Sequence, residues 1–94
     1  MADNSEQIKY WNGQAGDTWT RGQERLDRML QPLSDIAVSA AAAKAHDRVI
    51  DVGCGCGATS LALAATGAQV WCVEISAPML ARARERAQGM DNVV

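Results

Sequence analysis

No stretch of the 94 residues is long and apolar enough to read as a membrane span, and Met1 to Gln7 is polar, without the apolar centre of a secretory signal. The sequence therefore points to a cytoplasmic protein with no membrane partner. An excess of positive charge is also lacking. With a net charge of -2 there is no electrostatic footprint for nucleic acid, and Arg82, Arg84 and Arg86 read as the solvated face of one helix. Cysteine is sparse, at Cys54, Cys56 and Cys72, and the paired C-x-x-C spacing of structural zinc sites is missing, so no metal centre is expected. Small, soft side chains filling a loop and a buried strand account for these three. The lone histidine, His46, has no catalytic partner near it in sequence and reads as a solvated loop residue. Internal repeats and low-complexity linkers are absent, and the length allows one small domain.

What is there centres on Val49 to Glu74. Val49-Ile50-Asp51-Val52 is an apolar run interrupted by one acid, which predicts a strand buried on both faces, as parallel strands covered by helices are. Gly53, Gly55 and Gly57 follow at alternate positions, where they let the backbone turn sharply and leave its N–H groups bare for a ligand. Ala58 to Ala65 has a helical composition, so the loop delivers those groups at a helix N-terminus. A second apolar run, Val70 to Val73, ends on Glu74, where a strand–loop–helix–strand unit places a carboxylate to accept hydrogen bonds from ribose hydroxyls. Together these features predict a nucleotide-type site whose ligand has an adenosine core.

The flanks read as helices. Asn4 or Ser5 can cap a first helix through Trp11 that Gly13 ends, and a second starts near Asp17 and carries Trp19, Leu26, Met29 and Leu30 on one side. Pro32 interrupts it as a kink or a helix–helix joint, and Leu33, Ile36, Ala37 and Ala40 to Ala43 resume the helical pattern. Downstream, Thr66-Gly67 ends the helix after the glycine loop, with Gly67 left-handed. Ser76 caps a helix with Pro78 in its first turn, Met79, Leu80, Ala83 and Ala87 inward, and Gly89 at its end. Asn92-Val93-Val94 begins a third strand.

The expected fold is thus α/β: a Rossmann-like doubly wound parallel sheet, cut off after the start of its third strand and preceded by N-terminal helices. Residues 1–47 form the helical segment and 48–94 the first part of the nucleotide-binding domain. The sequence reads as the N-terminal part of a longer enzyme, inactive by itself.

Val49 to Gly57, with Glu74-Ile75-Ser76-Ala77-Pro78-Met79-Leu80, closely resembles the first and second motifs of class I S-adenosylmethionine-dependent methyltransferases. Tyr10-Trp11-Asn12-Gly13, Gly16, Trp19 and Gln23-Glu24-Arg25-Leu26-Asp27 resemble the N-terminal helices of bacterial small-molecule members. The resemblance implies S-adenosyl-L-methionine as cofactor and a small-molecule methyl acceptor. It implies that Gly53, Cys54, Gly55 and Gly57 pass under the cofactor, Glu74 holds both ribose hydroxyls and Ile75 lies against the adenine. Asp51 positions the cofactor ammonium, directly or through the loop and water. Met79 either encloses the adenine or packs as core, and Trp11 and Trp19 either close over the cofactor or pack between helices.

A nicotinamide dinucleotide competes, because Gly53, Gly55 and Ala58 satisfy the looser G-x-G-x-x-G/A spacing. Against it, Asp51 would repel a pyrophosphate by about 4 kcal/mol per charge pair at ~4 Å and an effective dielectric near 20, whereas it attracts an ammonium or a sulfonium. A non-enzymatic reading also remains, in which the chain is an inactive fragment or an association module. No residue stands out as a catalytic base, and the nucleophilic atom of the acceptor and the oligomeric state are not written in this sequence.

Overall fold

The two runs rich in β-formers become strands β1 (Arg48–Val52) and β2 (Gln69–Val73) in the computed structural model, which describes residues 3–94. They pair in parallel, with Asp51 beside Cys72 and Val52 beside Val73. A parallel pair needs a crossover, and helix α4 (Ala58–Ala64) supplies it. On the far side of β2 the expected third strand is present as a parallel bridge between Val93 and Val70. Val70 and Cys72 donate their N–H groups to the carbonyls of Asn92 and Val94, so β2 lies between two neighbours.

The sheet is covered on one face only, which corrects the expectation of burial on both. Leu63, Ala64, Ala68 and Val70 form the buried core, with Val38, Val49, Cys72 and Val93 packed against it. Alternation along the strands puts Ile50, Val52, Trp71 and Val73 on the opposite face, where they are 65%, 77%, 39% and 49% exposed. A run this rich in apolar residues suits both faces to burial; it does not reveal whether this chain supplies both covers.

The N-terminal segment forms α1 (Ser5–Asn12), α2 (Gln14–Arg21) and α3 (Gln23–Ala41), with Gly13 and Gly22 at the two joints. Two expectations fail here. The helix placed from Asp17 through Leu30 is split at Gly22, and Pro32 interrupts nothing, since α3 runs through it for 19 residues. Proline removes a single ladder bond, to the carbonyl of Arg28. Arg28 and Pro32 are both exposed, so that carbonyl stays open to solvent instead of being buried unpaired. Helix α3 ends when Ala42 turns left-handed at φ 49°.

After β2, helix α5 (Ala77–Arg86) starts as its sequence prescribes, with the Ser76 hydroxyl accepting from the Met79 N–H at 3.4 Å and Pro78 in the first turn. Met79 and Ala83 are buried. The helix stops at Arg86, ahead of Gly89, which has φ 85° in the following turn. Gly67 is left-handed at φ 92°, as expected. Among the described residues no helix is long and apolar enough to cross a membrane.

Candidate functional site

The loop between β1 and α4 needs its glycines, because Gly53, Gly55 and Gly57 have φ of 74°, 57° and 91°. Gly57 has a second constraint. A Cβ there would lie 3.1 Å from the Cβ of Ala83, so the start of α4 packs tightly on α5 and a side chain would have to push them apart by a few tenths of an ångström.

Four of the N–H groups of this loop are not bare, contrary to the sequence expectation. Gly53 and Cys54 both donate to the Val73 carbonyl, at 2.7 and 3.1 Å, and Gly57 donates to the Cys54 carbonyl at 3.0 Å. Gly55 donates to Glu74 Oε1 at 2.9 Å. The loop is folded back on the end of β2, and these four donors are used in holding that shape.

Glu74 follows β2 directly, and its carboxylate is fixed at both oxygens, Oε1 by Gly55 and Oε2 by the N–H of Ser76 at 3.0 Å. A carboxylate offers about four lone-pair sites, so each oxygen keeps capacity for one more donor. The cavity it borders has a volume of about 560 Å³, within the range usual for small-molecule and cofactor sites. Gly53, Cys54, Gly55 and Gly57 form its floor, and Glu74, Ile75 and Met79 one side. Leu26, Leu30 and Ser34 of α3 face them, with Trp11 and Trp19 at the α1–α2 end. These two indoles meet edge to face at 6.0 Å. Asp27 and Glu74 are the charged side chains of the lining, and no basic side chain joins them among the described residues.

Cys54 borders the cavity as a protonated thiol. Burial, then the neighbouring Cys72, then the Asp51 charge push its pKa up to about 12, and the thiol points at the Gly55 carbonyl at 3.6 Å. Burial raises Cys56 as well.

The N-terminal helices are fastened to this site by side chains far apart in sequence. Asn12 donates from Nδ2 to the Ile75 carbonyl and accepts at Oδ1 from the Ala77 N–H, at 2.7 and 2.8 Å. Gly16 is buried where α2 meets the start of α5, and a Cβ there would collide with the Trp11 carbonyl and fall 2.7 Å from the Ser76 hydroxyl. Arg86 reaches back to Asp27 at 2.8 Å and to the Cys56 carbonyl at 2.7 Å. That corrects the reading of Arg82, Arg84 and Arg86 as one solvated face. Arg84 is exposed, while Arg86 is largely covered and Arg82 donates to Gln23 at 3.3 Å.

Of the residues expected at the site, Gly53, Cys54, Gly55, Gly57, Glu74, Ile75 and Met79 come together around the cavity. Asp51 does not. It lies on the covered face of β1 and accepts from the buried Ser60 hydroxyl at 2.7 Å, so it ties β1 to α4 behind the loop. The sequence reading missed Gln23, Asp27 and Ser34, although with Leu26 and Leu30 they repeat at helical spacing along one face of α3.

Comparison with known proteins fits this geometry. Residues 49–94 match the family described as a methyltransferase domain. The chain is 52% identical over 52 residues to the 23S rRNA (uracil(1939)-C(5))-methyltransferase RlmD of Xanthomonas campestris, a match covering 53% of this chain and 12% of that protein. It superposes on the crystal structure of YcgJ from Bacillus subtilis with TM-score 0.58 and 32% identity, covering 64% of this chain and 26% of YcgJ. Magnesium protoporphyrin IX methyltransferase (ChlM) from Synechocystis PCC 6803, solved with bound SAM, superposes with TM-score 0.65 over 94% of this chain and 48% of its own. At 23% identity the ChlM likeness establishes the fold. The chain spans half or less of the length of each of these proteins.

Proposed function

We propose, from the premise that residues 49–94 belong to the methyltransferase domain family, that this protein binds S-adenosyl-L-methionine and transfers its methyl group to a small-molecule acceptor in the cytoplasm. The observation that carries the reading is the cavity's charge. Its charged side chains are carboxylates, of which Asp27 is paired with Arg86 and Glu74 has no cationic partner among the described residues, and the N–H groups of Gly53, Cys54, Gly55 and Gly57 are given to Val73, Cys54 and Glu74. A doubly negative ligand is disfavoured there, and one with an ammonium and a sulfonium is attracted.

The residues present fit that cofactor. Glu74 is held at both oxygens with one acceptor position left on each, which suits a vicinal pair of ribose hydroxyls. Ile75 and Met79 supply apolar surface for the adenine, and the turned-back glycine loop lets the ligand approach the backbone closely. Asp51 acts through Ser60 and the loop it supports, not by direct contact. When bound, the cofactor supplies an activated methyl group, so the chain's contribution is binding, orientation and exclusion of water. Trp11, Trp19, Leu26 and Leu30 provide that exclusion on the side facing α3. None of the cavity residues is assigned as a base, and the 94 residues alone are expected to be inactive.

The likeness to RlmD favours a second reading for the acceptor, a nucleic-acid base. The net charge of -2 and the acidic cavity speak for the small molecule. Calorimetric titration of the full-length protein with adenosylmethionine and with a nicotinamide dinucleotide tests the cofactor, and Glu74→Ala tests the site. Loss of two charge-assisted bonds, about 2 to 4 kcal/mol net, weakens adenosylmethionine binding roughly 30- to 1000-fold, with Glu74→Gln in between. Binding of the dinucleotide alone would overturn the cofactor assignment, and unchanged affinity in Glu74→Ala would remove Glu74 from the site.

A further inference from the structure

We propose that Arg86 and Asp27 are positioning residues for this cavity: their ion pair clamps the glycine loop to helix α3, so that closure of the α3 wall and cofactor binding form one coupled equilibrium. The inference rests on the cofactor reading above only for the identity of the ligand.

Arg86 uses both arms of its guanidinium. One nitrogen donates to the Cys56 carbonyl at 2.7 Å, inside the glycine loop, and the other to Asp27 Oδ2 at 2.8 Å, on α3. The same Oδ2 accepts from Gln23 Nε2 at 2.6 Å, and Gln23 Oε1 accepts from Arg82 at 3.3 Å. Four side chains and one loop carbonyl therefore join three segments that are 30 to 59 residues apart in sequence. Exposed ion pairs usually contribute little. This one differs in being shared between two acceptors with a planar fork, with side chains only 23% and 26% exposed and a buried glutamine beside it.

The position of the clamp gives it leverage on binding. Gln23 and Asp27 share a face of α3 with Leu26, Leu30 and Ser34, which wall the cavity opposite Glu74. Gly22 is the joint at which α3 begins, and the clamp holds the turns immediately after it. When the clamp is broken at Arg86, which is not part of the cavity lining, the share of molecules with the wall in place falls, and apparent affinity falls by that fraction although no lining group has changed. By reciprocity, ligand must stabilise the clamp.

The test uses the full-length protein in wild-type, Arg86→Met, Arg86→Lys and Asp27→Asn forms, with calorimetric titration of adenosylmethionine and hydrogen exchange with and without it. Arg86→Met is expected to weaken binding about 10-fold or more, within the ordinary range of coupling between sites, and Arg86→Lys to recover part of the loss. The double variant Asp27→Asn/Arg86→Met should bind no worse than Arg86→Met alone, since both changes break one device. Ligand should protect the amides of residues 23–30 in the wild type and protect them less in Arg86→Met. Affinity within twofold of wild type in folded Arg86→Met, or independent, additive effects of the two changes, would overturn the proposal. If Arg86→Met does not fold, Arg86→Lys and Asp27→Asn decide the same questions. If the wild type binds no adenosylmethionine, the cofactor reading falls, and ligand-free exchange decides this one: residues 23–30 and the glycine loop must exchange faster in Arg86→Lys and Asp27→Asn, and unchanged exchange would refute it.

Discussion

Cys54 shows how one buried group reports on its surroundings. Burial of its thiol, and after it the neighbouring Cys72 and the charges of Asp51 and Glu74, push its pKa up to about 12 from an ordinary 9.0. The native state therefore keeps a proton that the unfolded chain gives up between pH 9 and 12. Stability is fully present below pH 9.0 and is lost as pH rises toward 12, with Cys56 adding to the slope in the same direction. Thermal denaturation from pH 8 to 11 should show a steeper decline in the wild type than in Cys54→Ala; parallel curves would mean that the thiol titrates normally. Cys54 at the loop and Glu74 at the strand end were legible because backbone turns and strand ends are local. The partners of Asp51 and Arg86 were not, since a Ser60 nine residues away, or a carbonyl thirty residues back, leaves no periodic trace in sequence.

Helix α3 separates what pattern predicts from what packing decides. The apolar spacing foretold a helix on both sides of Pro32, and propensity foretold a break, yet the helix is continuous. Proline still carries its penalty there, because a missing N–H and a ring against the preceding turn cost a helix interior up to about 3 kcal/mol. Pro32→Ala, at an exposed position, should therefore stabilise the fold by about 1 to 3 kcal/mol, seen as a melting temperature several degrees higher. A lower melting temperature would show that the ring makes a contact worth more than the lost hydrogen bond. By contrast the start of α5 was readable, since Ser76, Pro78 and the inward Met79 and Ala83 all act within one helix, while its end falls at Arg86 and not at Gly89. The joint at Gly22 was missed because a lone glycine inside a helical pattern is more often tolerated than not.

For the molecule as a whole, the bare sheet face is the dominant surface feature. Ile50, Val52, Trp71 and Val73 form a contiguous apolar patch beside β1, whose outer edge carries no partner strand among the described residues. The 94-residue chain on its own should associate in a concentration-dependent manner in sedimentation, and Ile50→Lys with Val52→Lys should reduce that association while leaving helical circular dichroism in place. A monomer at all concentrations would mean that the patch is tolerated in water. The N-terminal helices have a different dependence. Asn12 makes its long-range bonds to Ile75 and Ala77, and Gly16 rests against Ser76. As the chain leaves the ribosome, the first two helices thus have nothing to dock on until some sixty further residues have been synthesised. For that interval Trp11 and Trp19 are exposed to chaperones and proteases, and the pace of translation through residues 48–77 sets how long the exposure lasts.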